Sequence, residues 1–242
     1  NLSLSGTMRV GATTSASIGD SVTPQYSAGT FSDTQTFTDG LRLAYASTSG
    51  FSPDTIYTDG SGTYSSAQYT PDGSQLVANV SNTLYFYDTA TDTLLHTSTS
   101  TVTVRDFAFT ADSQYVAVGS SDNNVYVYDT ATYSLQDTLT DSTDDPTSLV
   151  YTSDGNYLAI GSADDNVYIY DTATYSLQDT LTDATANIGG VTFSPDDSQL
   201  AVGSWDDNLY IYDTATYSLQ ATFTESVGFV YAPVYTDDGS QL

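Results

Sequence analysis

Adjacent carboxylates recur in this sequence at a fixed spacing. Asp164/Asp165 and Asp206/Asp207 stand 42 residues apart, each pair followed by Asn, and Asp122 opens a related run another 42 residues upstream. Two carboxyl groups facing each other across a glycosidic bond would act as general acid and as nucleophile or base. At the tip of a strand connection the same residues do something plainer, accepting nearby backbone N–H groups and holding water. Recurrence at one place in every unit favours the turn. Other chemistry is thin. His96 is the only histidine, and it takes the place of Asp137 and Asp179 in the repeat, which fits a solvated side chain better than a general base. Without cysteine, and with one histidine, a Ser-His-Asp triad and a zinc site both lack their parts. No Gly-rich loop leads from a strand into a helix to cradle phosphate. The expectation is a protein that is not an enzyme and needs no cofactor. Calcium is the one ion that the oxygen-rich segments 58–63, 141–148 and 204–208 would suit, although none has EF-hand or nonapeptide spacing.

The elements that must position these residues are repeats. "NVYIYDTATYSLQDTLT" (166–182) returns as "NVYVYDTATYSLQDTLT" from 124, as "NLYIYDTATYSLQATFT" from 208 and more loosely as "TLYFYDTATDTLLHTST" from 83. The Asp closing each "YD", namely Asp88, Asp129, Asp171 and Asp213, recurs at intervals of 41, 42 and 42. Each unit divides into four short β-rich segments bounded by turn residues: 190–194, 198–204, 208–213 and 217–224 in the clearest copy. In its third segment Leu209 and Ile211 point to one face, Tyr210 and Tyr212 to the other. A sheet greasy on both faces has to lie between copies of itself, so each unit needs neighbours to bury it. Eight of the 21 tyrosines fall in these third segments. A sugar-binding ladder would use such rings, but spacing that follows the fold favours packing between sheets, each hydroxyl finding a partner at the edge.

Set beside known repeats, "GGVTFSPDDSQLAVGSWDDNLYIYDTATYSLQATFT" (189–224) resembles a blade of a WD40-type β-propeller, and the resemblance extends over about 64–242. It implies an all-β fold of four-stranded antiparallel blades. Tyr87, Tyr128, Tyr170 and Tyr212 stand where the family has Trp, and no Gly-His pair precedes any unit, so the family's His-centred hydrogen-bond network is not expected here. Asp88, Asp129, Asp171 and Asp213 do match, and in "DTAT" each carboxylate can accept from N–H groups two or three residues on, a structural role. A fainter copy at 41–73 aligns without a gap on 165–197. The expected organisation is an arm or divergent strand pair at 1–40 and propeller repeats over 41–242. Five blades result if 228–242 is completed by the strands at 41–58, six or seven if the natural chain continues; the second is preferred, since the sequence stops where a strand should run.

Charge narrows the partners. Thirty acids face three arginines, a formal −27, which argues against nucleic acid and anionic membrane surfaces. No apolar run is long enough to span a membrane. Glu225 is the only glutamate, so the acids belong to turns rather than helices. Self-repulsion of this size is relieved where salt shortens the Debye length to roughly 3 Å near 1 M. The composition is read as that of a halophile, of haloarchaeal or haloarchaeal-virus type.

Partner binding is expected on one rim of the blades. The first-to-second and third-to-fourth turns share a rim and are monotonous. The opposite rim holds the second-to-third hairpins and the links between blades, where "STSTVT", "DSTDDPTS", "DATANIGG" and "ESVGFVYAP" all differ and the only tryptophan, Trp205, replaces Ser121 and Ala163. Units that agree where the fold requires and diverge elsewhere place recognition at the divergence. Trp205, Asp206, Asp207, Asp164, Asp165 and Asp122 are accordingly the candidate contacts for a protein or glycan. For Trp205, packing over the neighbouring blade stands as an equal alternative. Sequons at Asn1 and Asn79 are candidate glycosylation sites. The preferred reading is a surface module, extracellular or on a virion and in high salt, serving as adhesin, fibre or decoration and assembling through its arm. The alternative is an intracellular WD40-like interaction scaffold.

Overall fold

The computed structural model describes residues 41–43, 46–47, 50–51, 55–57, 64–224, 228–236, 238–239 and 241. Contacts divide them between two compact units: residues through Tyr69 with Ser74–Thr99, and Thr70–Gly73 with Ser100 onward.

In the first unit β1 (Leu41–Leu43) pairs with β4 (Thr55–Tyr57), and β2 (Ala46–Ser47) with β3 (Gly50–Phe51), both antiparallel. The following strands, β5 (Tyr64–Tyr69), β6 (Gln75–Val80), β7 (Thr83–Asp88) and β8 (Thr93–Thr99), form a four-stranded antiparallel meander. Leu76, Ala78, Val80 and Tyr87 make its core. Asn79, between two of them, is fully buried on β6. A side chain in that position has no room for a glycan in the folded chain. Its surroundings, rather than its sequon, decide what it can do.

The second unit repeats the meander three times. Its sheets are β9 (Val104–Phe109) to β12 (Leu135–Leu139), with β10 (Tyr115–Ser120) and β11 (Val125–Asp129) between; β13 (Pro146–Tyr151), β14 (Tyr157–Ser162), β15 (Val167–Asp171) and β16 (Ser176–Leu181); and β17 (Ile188–Phe193), β18 (Gln199–Ser204), β19 (Leu209–Asp213) and β20 (Leu219–Phe223). First strands neighbour one another, with β13 lying against both β9 and β17. The two-faced third strands do what their pattern requires. Val125, Val127 and Leu139 of one sheet pack on Tyr168 and Tyr170 of the next, while Val167, Ile169 and Leu181 pack on Tyr210 and Tyr212 of the third. Tyr170 and Tyr212 are each 2% exposed, so these rings are packing elements and not a sugar platform. At roughly 25 cal/mol per Å², a ring burying about 150 Å² contributes at most about 4 kcal/mol before entropy is counted.

The fourth strands begin later than the sequence pattern places them. β20 starts at Leu219 instead of 217, because Tyr217 adopts a left-handed backbone (φ 52°), as do Tyr133 (58°) and Tyr175 (52°). A bulky residue is uncommon there. Tyr175 and Tyr217 are held by packing on the apolar clusters between sheets, which offsets the strain. Each lies just before the fourth strand of a pair whose register shifts opposite Ile169/Tyr170 and Ile211/Tyr212.

Side chains tie the first strands together. The Asp106 carboxylate on β9 accepts the Leu149 N–H of β13 at 2.7 Å, and the Ser148 hydroxyl accepts the Val191 N–H of β17 at 3.2 Å. Gly190 is next in this series, 42 residues after Ser148, and the backbone of 231–232 fills the place of its missing side chain: a Cβ at Gly190 would collide with the Tyr231 carbonyl. Enclosure of the Asp106 carboxyl pushes it up to about 7, with the Leu149 and Phe107 N–H groups working the other way.

Candidate partner-binding rim

The second-to-third hairpins are built from one hydrogen-bond scheme. Asp206 accepts the Asn208 N–H at 3.1 Å and the Tyr210 hydroxyl at 2.8 Å, and it reaches the link between sheets, where the Thr185 N–H donates at 2.8 Å. Asp164 repeats this with Asn166, Tyr168 and Thr143, and Asp122 with Asn124 and Tyr126. Partial burial acts to raise the Asp164 and Asp206 carboxyls, yet the donors around them hold both below the usual carboxylate range. One carboxylate per hairpin thus closes its own turn, caps the third-strand tyrosine and, in two hairpins, pins the incoming link.

The neighbouring residue does none of this. Asp165 (φ 72°) and Asp207 (φ 69°) sit at the left-handed corner of each hairpin, and Asp207 is exposed. Neither has a hydrogen bond or ion pair among the described residues. Asn123, their counterpart, donates its side-chain amide to the Thr143 carbonyl at 3.0 Å. The adjacent acids are therefore unlike: the first is a fold element, the second a charge held out at the tip.

Trp205 completes the third hairpin. Its indole stacks on Phe229 (centroids 5.3 Å apart, planes 25° apart) and meets Tyr231 edge-on at 5.8 Å. Packing therefore accounts for one side of the ring, against the 228–231 segment. The residue nevertheless stays 37% exposed, with Phe229 and Tyr231 at 54% and 55%. Space for the indole comes from Gly189. Thr147 and Arg105 stand at that place in the other two sheets, whereas a Cβ on Gly189 would press on the Trp205 indole nitrogen and collide with the 230–231 backbone.

Sequence reasoning passed over the acids that join sheets at this rim. Tyr170 donates to Asp141 at 2.6 Å and Tyr212 to Asp183 at 3.0 Å, each acid lying just after the preceding sheet's outer strand. Their 42-residue spacing, in "LTD" at 139–141 and 181–183, was the available signal. Arg105 pairs with Asp145. No cluster of three metal-ligating side chains occurs among the described residues. Asn1 and 58–63 lie outside them, as does Glu225.

The opposite rim is closed on itself. Asp129 accepts from the Ala131 and Thr132 N–H groups and from the Thr132 hydroxyl at 2.7–3.0 Å. Asp171 and Asp213 accept likewise from Thr174 and Thr216, and in the first unit the corresponding turn is built alike, with Asp88 accepting from Ala90 and Thr91. These bonds hold the Asp88, Asp129 and Asp171 carboxyls below their ordinary value. In the first-to-second turns Thr110, Thr152 and Ser194 donate to Asp112, Asp154 and Asp196 at 2.7 Å.

Residues 92–129, 133–171 and 175–213 each match the WD40 family (WD domain, G-beta repeat). Every matched stretch runs from an outer strand or its turn to the Asp that closes the next third strand, so the family's unit straddles two sheets of this structure. No curated protein matches the chain.

Proposed function

We propose, from the three WD40 repeats the chain carries, that it is a non-catalytic interaction scaffold whose sheets act as propeller blades and whose hairpin-and-link rim receives a partner protein. WD40 repeats are in general protein-interaction modules, and their match favours the scaffold over an adhesin, fibre or virion decoration. The reading is carried by the contrast between the rims. One satisfies its polar groups with its own turns in every sheet, whereas the other combines links of differing sequence with corner carboxylates and an aromatic cluster left in solvent. The buried Asn79 removes one support for a glycosylated surface module.

The test is a substitution on each rim. Trp205→Ala is expected to weaken capture of a partner by at least about fivefold while lowering the melting temperature by less than about 10 °C, because the area buried by an indole left 37% exposed and its two ring contacts together contribute about 3 kcal/mol or less. Thr174→Ala, on the closed rim, is expected to leave capture unchanged. Intact capture by the Trp205 variant, or a large drop in melting temperature, would assign the ring to structure and remove this reading.

A further inference from the structure

We infer that Trp205 and Asp207 together bind a cationic side chain, specifically an arginine presented by a basic segment of a partner protein. The inference rests on the rim being an interaction face and names the chemistry that face selects.

Three observations converge on this pair. First, the ring is an addition to the fold: Ser121 and Ala163 fill the same place in two sheets of the same design, so nothing in the hairpin requires an indole. The room for it was made by Gly189 and its outer surface left open, with Phe229 as the backing. Second, Asp207 is a carboxylate without an internal role, two residues along the same tight turn. The fold's demands on this hairpin are met by Asp206, which is occupied by Thr185, Asn208 and Tyr210. Asp165 has the same freedom but stands beside Ala163, so ring and free charge occur together only in this hairpin of the three in the second unit. Third, the field is one-sided. The formal charge is −27, and the one arginine among residues 64–241, Arg105, is already paired with Asp145. Such a surface draws in cations and repels anions.

A cation above an indole face is attracted by the ring quadrupole, and tryptophan is the best ring for it. Arginine fits better than lysine because its planar guanidinium can lie on the indole and still give a forked pair of N–H groups to a carboxylate two residues along the turn. A neutral sugar would also stack on the ring but would gain nothing from the Asp207 charge.

The sequence has a single tryptophan, so its fluorescence reports on Trp205 alone. The whole chain would be titrated with the peptide acetyl-Gly-Arg-Gly-Arg-Gly-amide, with the same peptide carrying citrulline for arginine, and with cellohexaose. The expected result is a saturable change with the arginine peptide, with citrulline binding at least about tenfold weaker and the sugar weaker still. Asp207→Asn should weaken the arginine peptide about fivefold. Asp179→Asn, which removes the same charge from the outer strand β16, should not. Trp205→Ala, followed by anisotropy of a labelled peptide, should lose a similar factor. Equal affinity across the three variants would reduce the effect to net charge and overturn the inference, and so would saturation by the sugar in preference to the peptide. If the arginine peptide fails while Trp205→Ala still loses its partner in capture, the inference falls and the interaction rim stands. If both fail, both fall.

Discussion

At the scale of single residues, the same side chain means different things according to what encloses it. Asp106 and Ser148 occupy one position of the repeat and accept the same kind of N–H bond from the next first strand, but only Asp106 adds a charge. Its carboxyl is raised from 3.8 to about 7, so the folded state favours the protonated form. The stability it contributes is therefore complete below about pH 4 and declines as pH climbs through 7, the reverse of a salt-bridged acid. Asp106→Asn, which fixes the neutral form and keeps an acceptor for the Leu149 N–H, should raise stability at pH 8 by about 1–2 kcal/mol, discounted because part of the residue meets solvent. The gain should vanish toward pH 4. Denaturant unfolding of both proteins at pH 4, 6 and 8 measures it, and equal stability at pH 8 would show that the carboxyl titrates normally. Nothing in "VRDFAF" announces this, since the desolvation comes from strands distant in sequence. Asn79 teaches the converse. Its sequon invites glycosylation, yet the apolar residues around it in "QLVANV" put it on a strand covered on both faces, and that pattern was legible.

At the scale of elements, the four-strand unit could be read from the sequence because its determinants are local: alternation in "NLYIYD", turn residues at fixed offsets, and a period that survives three clear copies. What escaped was whatever depends on absence. Gly189 looked like the end of a loop and Gly190 like the first residue of a strand, but both clear the space in which 230–232 lies along β17 and Trp205 lies over its end. Missing side chains carry information only when their neighbours are known. Gly190→Ala is expected to push the Tyr231 backbone away from β17, since a Cβ there would overlap its carbonyl, and to loosen the stack of Phe229 on Trp205. The cost should be about 2 kcal/mol or more, of the order found for overpacked cores. The indole emission should shift to the red as the ring gains water. Gly155→Ala supplies the contrast: its φ of 73° costs about 1 kcal/mol, but nothing lies within 4 Å, so emission should not move. An unshifted spectrum for Gly190→Ala would mean that the segment does not hold the ring in solution.

At the scale of the whole molecule, the acids present a problem that the turns solve only in part. Local donors hold individual carboxylates in their ionised form, as at Asp196, lowered to about 2 by Ser194 and Ser198. Those bonds stabilise each turn while keeping its charge switched on at every pH above acid. The sum is a formal −27 with three arginines to oppose it, and mutual repulsion over distances beyond the turns remains. At about 0.15 M salt the Debye length is roughly 8 Å, whereas at 1 M it is about 3 Å, so repulsion between carboxylates more than a few ångströms apart is largely screened only in the second case. Sheet packing and hydrogen bonds are nearly indifferent to this change, so the repulsion alone should respond. The melting temperature is expected to rise by about 10 °C or more between 0.05 and 2 M NaCl, with most of the gain below 1 M, where screening changes fastest. Sodium chloride and potassium chloride should act alike at equal ionic strength. A rise confined to strongly salting-out sulfate would instead point to surface tension acting on the apolar sheets. A flat response would mean that the carboxylates lie too far apart to repel, and that the composition reflects solubility and not a need for salt.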